Sequence, residues 1–183
     1  MKHLMAWMAT AATLSFALPV SGGQNDPQLP ALFDRLHVAK AAESRAIEAR
    51  IWEIWTRSGN ADIDRLMSVG LQAMAAERYR VALAAFTEVA KRAPNFAEGW
   101  NKRATVYYLL GDYERSIEDI EKTLALEPRH FGALSGLGMI ALALGEEARA
   151  LDAFEAALEI HPHLPGAETH IRELRDRLKG KGI

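Results

Sequence analysis

The chain has 183 residues, 49% hydrophobic and 25% charged, with 22 Lys and Arg against 24 Asp and Glu and a formal net charge of −2. That balance fits one globular domain or one short repeat array, and it excludes collagen and a wholly disordered polymer. The near-neutral charge argues against nucleic-acid binding by bulk electrostatics, and the absence of cysteine removes disulfides, thiolate metal sites and Cys nucleophiles.

Residues 1–23 read as an export signal. Lys2 supplies a positive start, residues 4–18 are uncharged and mostly apolar, Pro19 breaks a helix, and Val20-Ser21-Gly22-Gly23 offers small residues for cleavage after Gly22 or Gly23. The apolar run falls short of the ~20 residues that span a bilayer, so membrane attachment is expected only if the signal is retained as an anchor. An exported chain without cysteine points to a bacterial periplasm.

Residues 24–30 lack periodicity and are expected as a linker, leading into an N-terminal helical cap over 31–60. Leu32, Phe33 and Leu36 mark a short helix. Ile47, Ile51, Ile54 and Trp55 recur at helical spacing and predict a second helix over about 41–57, closed by Ser58-Gly59-Asn60. Trp52 and Trp55 are expected in a core. The helix pair is expected to cover the N-terminal open face of the segment beginning at residue 61, or to form a degenerate repeat of its own.

Residues 61–162 are periodic. Pro94, Pro128 and Pro162 lie 34 residues apart, as do Phe86, Ile120 and Phe154. The same spacing links small residues (Ala82, Ser116, Ala150; Gly70, Ala104, Gly138) and large apolar ones (Leu66, Trp100, Leu134). Gly111 and Gly145 share it, with Glu77 in their place in the first unit. Each unit has two apolar runs with helical spacing, split by a short turn. In the second unit Trp100, Ala104, Tyr107 and Leu110 follow one helix face; Gly111-Asp112 ends that helix, and Ser116, Ile120, Thr123 and Leu124 continue on the next. Pro128 closes the unit, because the residue before a proline disfavours helix. Asn95 with Glu98 is expected to cap the first helix of this unit. The units are 61–94, 95–128 and 129–162, with a C-terminal capping helix and tail over 163–183.

This pattern resembles the tetratricopeptide repeat, a 34-residue helix-turn-helix unit. Trp100, Tyr107, Gly111, Asp112, Tyr113 and Pro128 carry the resemblance in the second unit, and Leu137, Gly138, Gly145, Ala150, Phe154, Ala157 and Pro162 in the third. Gly70, Tyr79, Ala82, Phe86 and Pro94 carry it in the first. Arg103 departs from the family's usual Leu. The resemblance implies an all-α fold: about three antiparallel helix hairpins in a right-handed superhelix with helical caps.

It also implies that the first helix of each unit lines a concave groove that takes peptides or helices. The stripe is Met67, Leu71 and Met74, then Asn101, Thr105 and Tyr108, then Ser135, Met139 and Leu142. Methionines suit adaptable contacts, and Asn101 is expected to set peptide register. A competing expectation is that a terminal segment folds over this stripe and makes it core. Some members bind chaperone C-terminal carboxylates through a clamp of Lys, Arg and Asn. Here Met67 and Leu71 stand at the first clamp positions and Gly132 and Gly136 at the third unit's, so that function is not expected. Lys102 and Arg103 read as surface charge.

No Gly-rich phosphate loop, G-x-S-x-G elbow or H-E-x-x-H helix occurs, so an enzyme is not expected, and neither are a cofactor or a metal. His161, His163 and His170 read as turn and helix-surface residues, and Glu118-Asp119-Glu121 as a solvated acidic face. The tail from Ile171 to Lys181 carries five basic and two acidic residues, ordinary for a capping helix. The leading expectation is a non-catalytic interaction scaffold in the periplasm with a protein or peptide partner. The alternative is a structural, self-associating or fixed subunit of an envelope complex.

Overall fold

The computed structural model describes residues 22–180, and these form nine α-helices and one short 3-10 turn. The export signal read at 1–23 lies almost wholly outside the described residues. Three antiparallel hairpins make the array: α3 (Ala61–Ala75) with α4 (Tyr79–Arg92), α5 (Ala97–Leu109) with α6 (Tyr113–Leu126), and α7 (Phe131–Ala143) with α8 (Glu147–Ile160). Helix α9 (Ala167–Gly180) closes the far end by burying Ile171 and Leu174 against α8, with the His170 ring stacked 4.9 Å from Phe154.

The turn inside each hairpin repeats one backbone solution. Gly111 and Gly145 each have φ of 76°, and Glu77 takes the same left-handed place at 54°. The following amide reaches back five residues in all three: Arg78 to Ala73, Asp112 to Tyr107 and Glu146 to Ala141, each at 2.8–2.9 Å. This is the Schellman closure, which satisfies the last carbonyls of the first helix. Asn60 caps α3 through its side chain, Asp112 caps α6, and His130 caps α7. The expected Asn95 cap of α5 does not form. Phe96 holds that place without a side-chain bond, and the Glu98 carboxylate is engaged in the interior instead.

Packing within a hairpin follows volume complementarity across two periodic columns. A Cβ added at Gly70 would lie 2.5 Å from the Phe86 ring, and one at Gly138 would lie 2.8 Å from Phe154. In the middle hairpin the pair is Ala104 with Ile120, both buried in one cluster. Phenylalanine is matched by glycine, and the smaller isoleucine leaves room for alanine. Gly138→Ala is therefore expected to lower stability by about 1–3 kcal/mol through overpacking, although alanine is the better helix former. Adding Phe154→Ile, which reproduces the middle hairpin's pair, is expected to recover much of that loss. Denaturant unfolding of the double-mutant cycle measures it, and additive losses would refute the pairing.

The N-terminal segment departs from expectation. Residues 24–30 are not a free linker: Gly23 is buried, the Gln24 side chain bridges the Asn95 carbonyl and the Ala97 amide, and Leu29 is fully buried. Helices α1 (Leu29–Val38) and α2 (Ala41–Trp55) do not cover the open face of the first hairpin, nor do they make a further repeat. They run along the edge of the array formed by the turns between hairpins. Their core of Phe33, Leu36, Ile47, Ile51, Ile54 and Trp55 closes over Phe131, with Ile160 and Leu164 at its border. The reason is local chemistry at those turns, where His130, Phe131 and His161 offer flat rings to the tryptophans and their neighbours.

Candidate partner-binding groove

The inner face of the array is built by α3, α5 and α7. Spacing i, i+4, i+7 brings Leu71 and Met74, Thr105 and Tyr108, and Met139 and Leu142 toward it, and all six are half-buried or exposed, Leu71 at 36%. Ser135 is half-buried as well. Met67 is not a groove residue: it is 1% exposed and packs with Ile63 and Phe86 in the first hairpin's core. Asn101 is also spoken for. It is 6% exposed, and its Nδ2 donates to Glu98 Oε2 at 2.9 Å. Its amide nitrogen is thereby engaged within the fold.

That bond belongs to a buried polar network beneath the groove. Glu98 accepts from Asn101 and from His130 Nε2, each at 2.9 Å, and faces the Lys102 ammonium at 2.9 Å. His130 Nδ1 accepts the Ala133 amide at 3.0 Å, which places the ring proton on Nε2. Burial alone would push the Glu98 carboxyl up, but the Lys102 charge and the His130 hydrogen bond outweigh it and hold it down at about 2. Lys102 also sits 5.0 Å above the Trp52 ring, so it is not free surface charge. Arg103 is likewise corrected. Its guanidinium makes two 2.7 Å bonds to Asp119, which is 3% exposed rather than part of a solvated acidic face, and this pairing raises the Arg103 pKa. A leucine-to-arginine departure on α5 is thus matched by an acid on α6.

Helix α2 closes the lower end of the groove. Trp52 lies against Gly132, where an added Cβ would come within 2.6 Å of the indole, and its ring meets His130 and Phe131 edge-on. Trp55 stacks on His130 with centroids 4.1 Å apart and planes 8° from parallel. Glu48 accepts from Trp52 Nε1 and faces His161 Nε2, each at 3.2 Å; His161 is fully buried, not a surface turn residue. This terminal segment thus covers Gly132 and His130, beside the stripe. Above it the stripe stays accessible. Among the described residues no group of His, Cys, Asp or Glu is arranged to hold a metal ion.

Between α5 and α7 the groove floor opens into a cavity of about 100 Å³. It gathers Asn101, Thr105, Tyr108 and Met139 of the sequence-derived stripe with Ile120 and Gly136. Sequence reasoning missed Glu98, His130 and Trp52. The signal for the first was present in Glu98's place three residues before Asn101 and four before Lys102, one helical turn from each.

Comparison with known proteins agrees with this architecture. The tetratricopeptide repeat family model matches residues 70–122 and 102–165. A TPR repeat-containing protein of Rhizobium etli is 36% identical over 177 residues, covering 94% of this chain and 86% of the relative. Small glutamine-rich tetratricopeptide repeat-containing protein 2 of Saccharomyces cerevisiae is 31% identical over 100 residues, 55% of this chain; the match spans 29% of that relative's length. The first TPR of Spaghetti (RPAP3), solved bound to the HSP90 peptide SRMEEVD, superposes with a TM-score of 0.61 at 22% identity, covering 64% of this chain and 93% of that one. On the matched repeats and the near full-length relative, the chain belongs to the tetratricopeptide repeat family.

Proposed function

We propose that this protein is a non-catalytic adaptor of the bacterial periplasm that captures an uncharged, apolar peptide or helix in the upper half of its groove. The observation that carries the reading is the character of the accessible stripe: Leu71, Met74, Thr105, Tyr108, Met139 and Leu142 offer apolar and hydroxyl-bearing surface on a preformed scaffold. Lys102, the basic side chain beside this stripe, is neutralised by Glu98. The RPAP3 domain is seen with an acidic peptide. Such a ligand finds no basic clamp here, because Met67 is core, Leu71 is apolar and Gly132 is covered by Trp52. Affinity would come from burying apolar area, and specificity from which side chains fit. The periplasmic assignment rests on the charge, apolar run and small residues of 1–23.

The test is affinity capture from the native host's envelope fraction, comparing wild type with Leu71→Ser and with Tyr108→Ala at matched stability. A partner held by the groove is expected to lose about 1–3 kcal/mol of binding with Tyr108→Ala, the range of an interface hot spot. Equal capture by all three proteins would remove the groove from consideration.

A further inference from the structure

Helix α7 carries three glycines, Gly132 in its first turn and Gly136 and Gly138 in its interior, where glycine is less favourable than alanine by about 1 kcal/mol. Two are accounted for by close approach: Gly132 by the Trp52 indole and Gly138 by the Phe154 ring. Gly136 is not. A Cβ there would meet only Ile120 Cδ1, at an ordinary 3.6 Å. What its missing side chain leaves instead is the cavity of about 100 Å³ at the groove floor, lined by Tyr108, Ile120, Met139 and Ile140 with Asn101 and Thr105 at its polar border. About 10–15 Å³ of cavity space is enough for one water, so this cavity exceeds one water several-fold. This space therefore matches a branched aliphatic side chain, and its apolar lining suits carbon better than water.

Gly132 and Gly136 are one turn apart on the same face of α7. The lower of the two receives an apolar ring from the chain's own cap at close approach, and the upper has only Ile120 Cδ1 at ordinary contact distance and borders the cavity. We infer that the Gly136 cavity is the anchor socket of the groove, taking one Leu, Ile, Val or Met side chain from an uncharged peptide segment that lies directly above Trp52 and continues the cap's interface. The inference rests on the groove reading above and adds the chemistry of the residue selected. Neutrality of the occupant follows from the surroundings: the nearest ionic groups, Glu98 and Lys102, are paired with each other, and Arg103 is paired with Asp119. A charged anchor would lose its hydration in this space and meet no free counter-charge.

The test is selection of a random 12-residue peptide library on the wild-type chain, followed by affinity measurement of the selected peptides on Gly136→Leu and Leu71→Ser. Gly136→Leu fills the socket from within and replaces a helical glycine, so its thermal stability should not fall. Gly136→Ala, whose Cβ has ordinary clearance, serves if the leucine is not accommodated. Selected peptides are expected to share one aliphatic position. Its replacement by Ser should weaken binding to wild type roughly ten- to a hundredfold, the range for losing burial of one such side chain. The same replacement should have almost no effect on Gly136→Leu, which itself binds the parent peptide correspondingly less. Peptides that bind Gly136→Leu like wild type but fail on Leu71→Ser would overturn the socket and leave the groove reading standing. Peptides indifferent to both variants, or no selectable peptide, would overturn both.

Discussion

Trp55→Ala is expected to cost about 3–5 kcal/mol, the range for truncating a buried aromatic side chain, and to release the N-terminal hairpin before the repeats unfold. Trp55 is 1% exposed and touches three elements at once: it stacks on His130, tilts 5.1 Å from Phe131, and packs 5.9 Å from Phe33 of α1. Remove it and the hairpin loses its largest contact with the array, leaving the smaller apolar border with Phe131, Ile160 and Leu164, the Trp52 edge contacts, Arg129 over the Phe33 ring, the Glu48–His161 bond, and the His163 Nε2 contact with the Ala39 carbonyl at 3.1 Å. The α5–α8 hairpins lose one ring from their edge but none of their own interior. Native-state hydrogen exchange should show α1 and α2 amides losing protection well before those of α6 and α8. Trp55→Phe is expected to cost far less, because its indole N–H is buried without a hydrogen-bond partner and the contacts are those of ring faces. A Trp55→Ala loss below about 1 kcal/mol, against that range, would mean that the hairpin is energetically separate from the array.

The division between what could be read from the residues and what could not falls along the repeat. Columns with a 34-residue period specify contacts that every unit makes with itself, so the hairpin is legible from the spacing of Gly70 with Phe86 and Gly138 with Phe154 alone. Contacts made by one unit only leave their mark as departures from the period. His130 stands where the neighbouring units have Phe96 and Leu164, and His161 where they have Ala93 and Glu127; both are docking points for α2. Arg103 was visible as a departure, yet its meaning lay in Asp119 on the adjacent helix, which the spacing along one helix cannot supply. The groove stripe shows the limit of periodicity in another way. Met67, Leu71 and Met74 share a helix face, but the face is wide, and Met67 at its edge turns into the core beside Phe86. Asn101 is 6% exposed because Glu98, one turn before it, engages its amide nitrogen, a contact that the stripe alone does not announce.

Glu98 supplies the second large effect, and its sign is fixed by the direction of its shift. The carboxyl is held near 2 against an ordinary 4.5, so the folded state binds its proton more weakly than the unfolded chain does. Stability from this group is fully present above the unfolded value and is lost as pH falls from about 5 toward 2. At about 1.4 kcal/mol per pKa unit the contribution is on the order of 3 kcal/mol. The group is buried at 1% exposure, so solvent screens little of it. Glu98→Gln keeps the shape and removes the charge, leaving Lys102 and His130 facing a neutral amide. Near pH 7 the variant should therefore be less stable than wild type by about that amount, since one member of a buried ionic network loses its counter-charge. As pH falls below about 4.5 the carboxyl of the unfolded wild-type chain takes up a proton that the folded state still refuses, so the gap between the two proteins should narrow. Other carboxylates, among them Glu53 and Asp112, are also lowered by neighbouring arginines, but they are common to the two proteins and drop out of the difference. Denaturant titrations at pH 7, 5, 4 and 3 measure that difference. A gap that stays constant across the window would show that Glu98 is not the ionised centre of the network. A closing gap would tie the groove floor to its protonation, because the same carboxylate holds Asn101 at the mouth of the Gly136 cavity and Lys102 over Trp52.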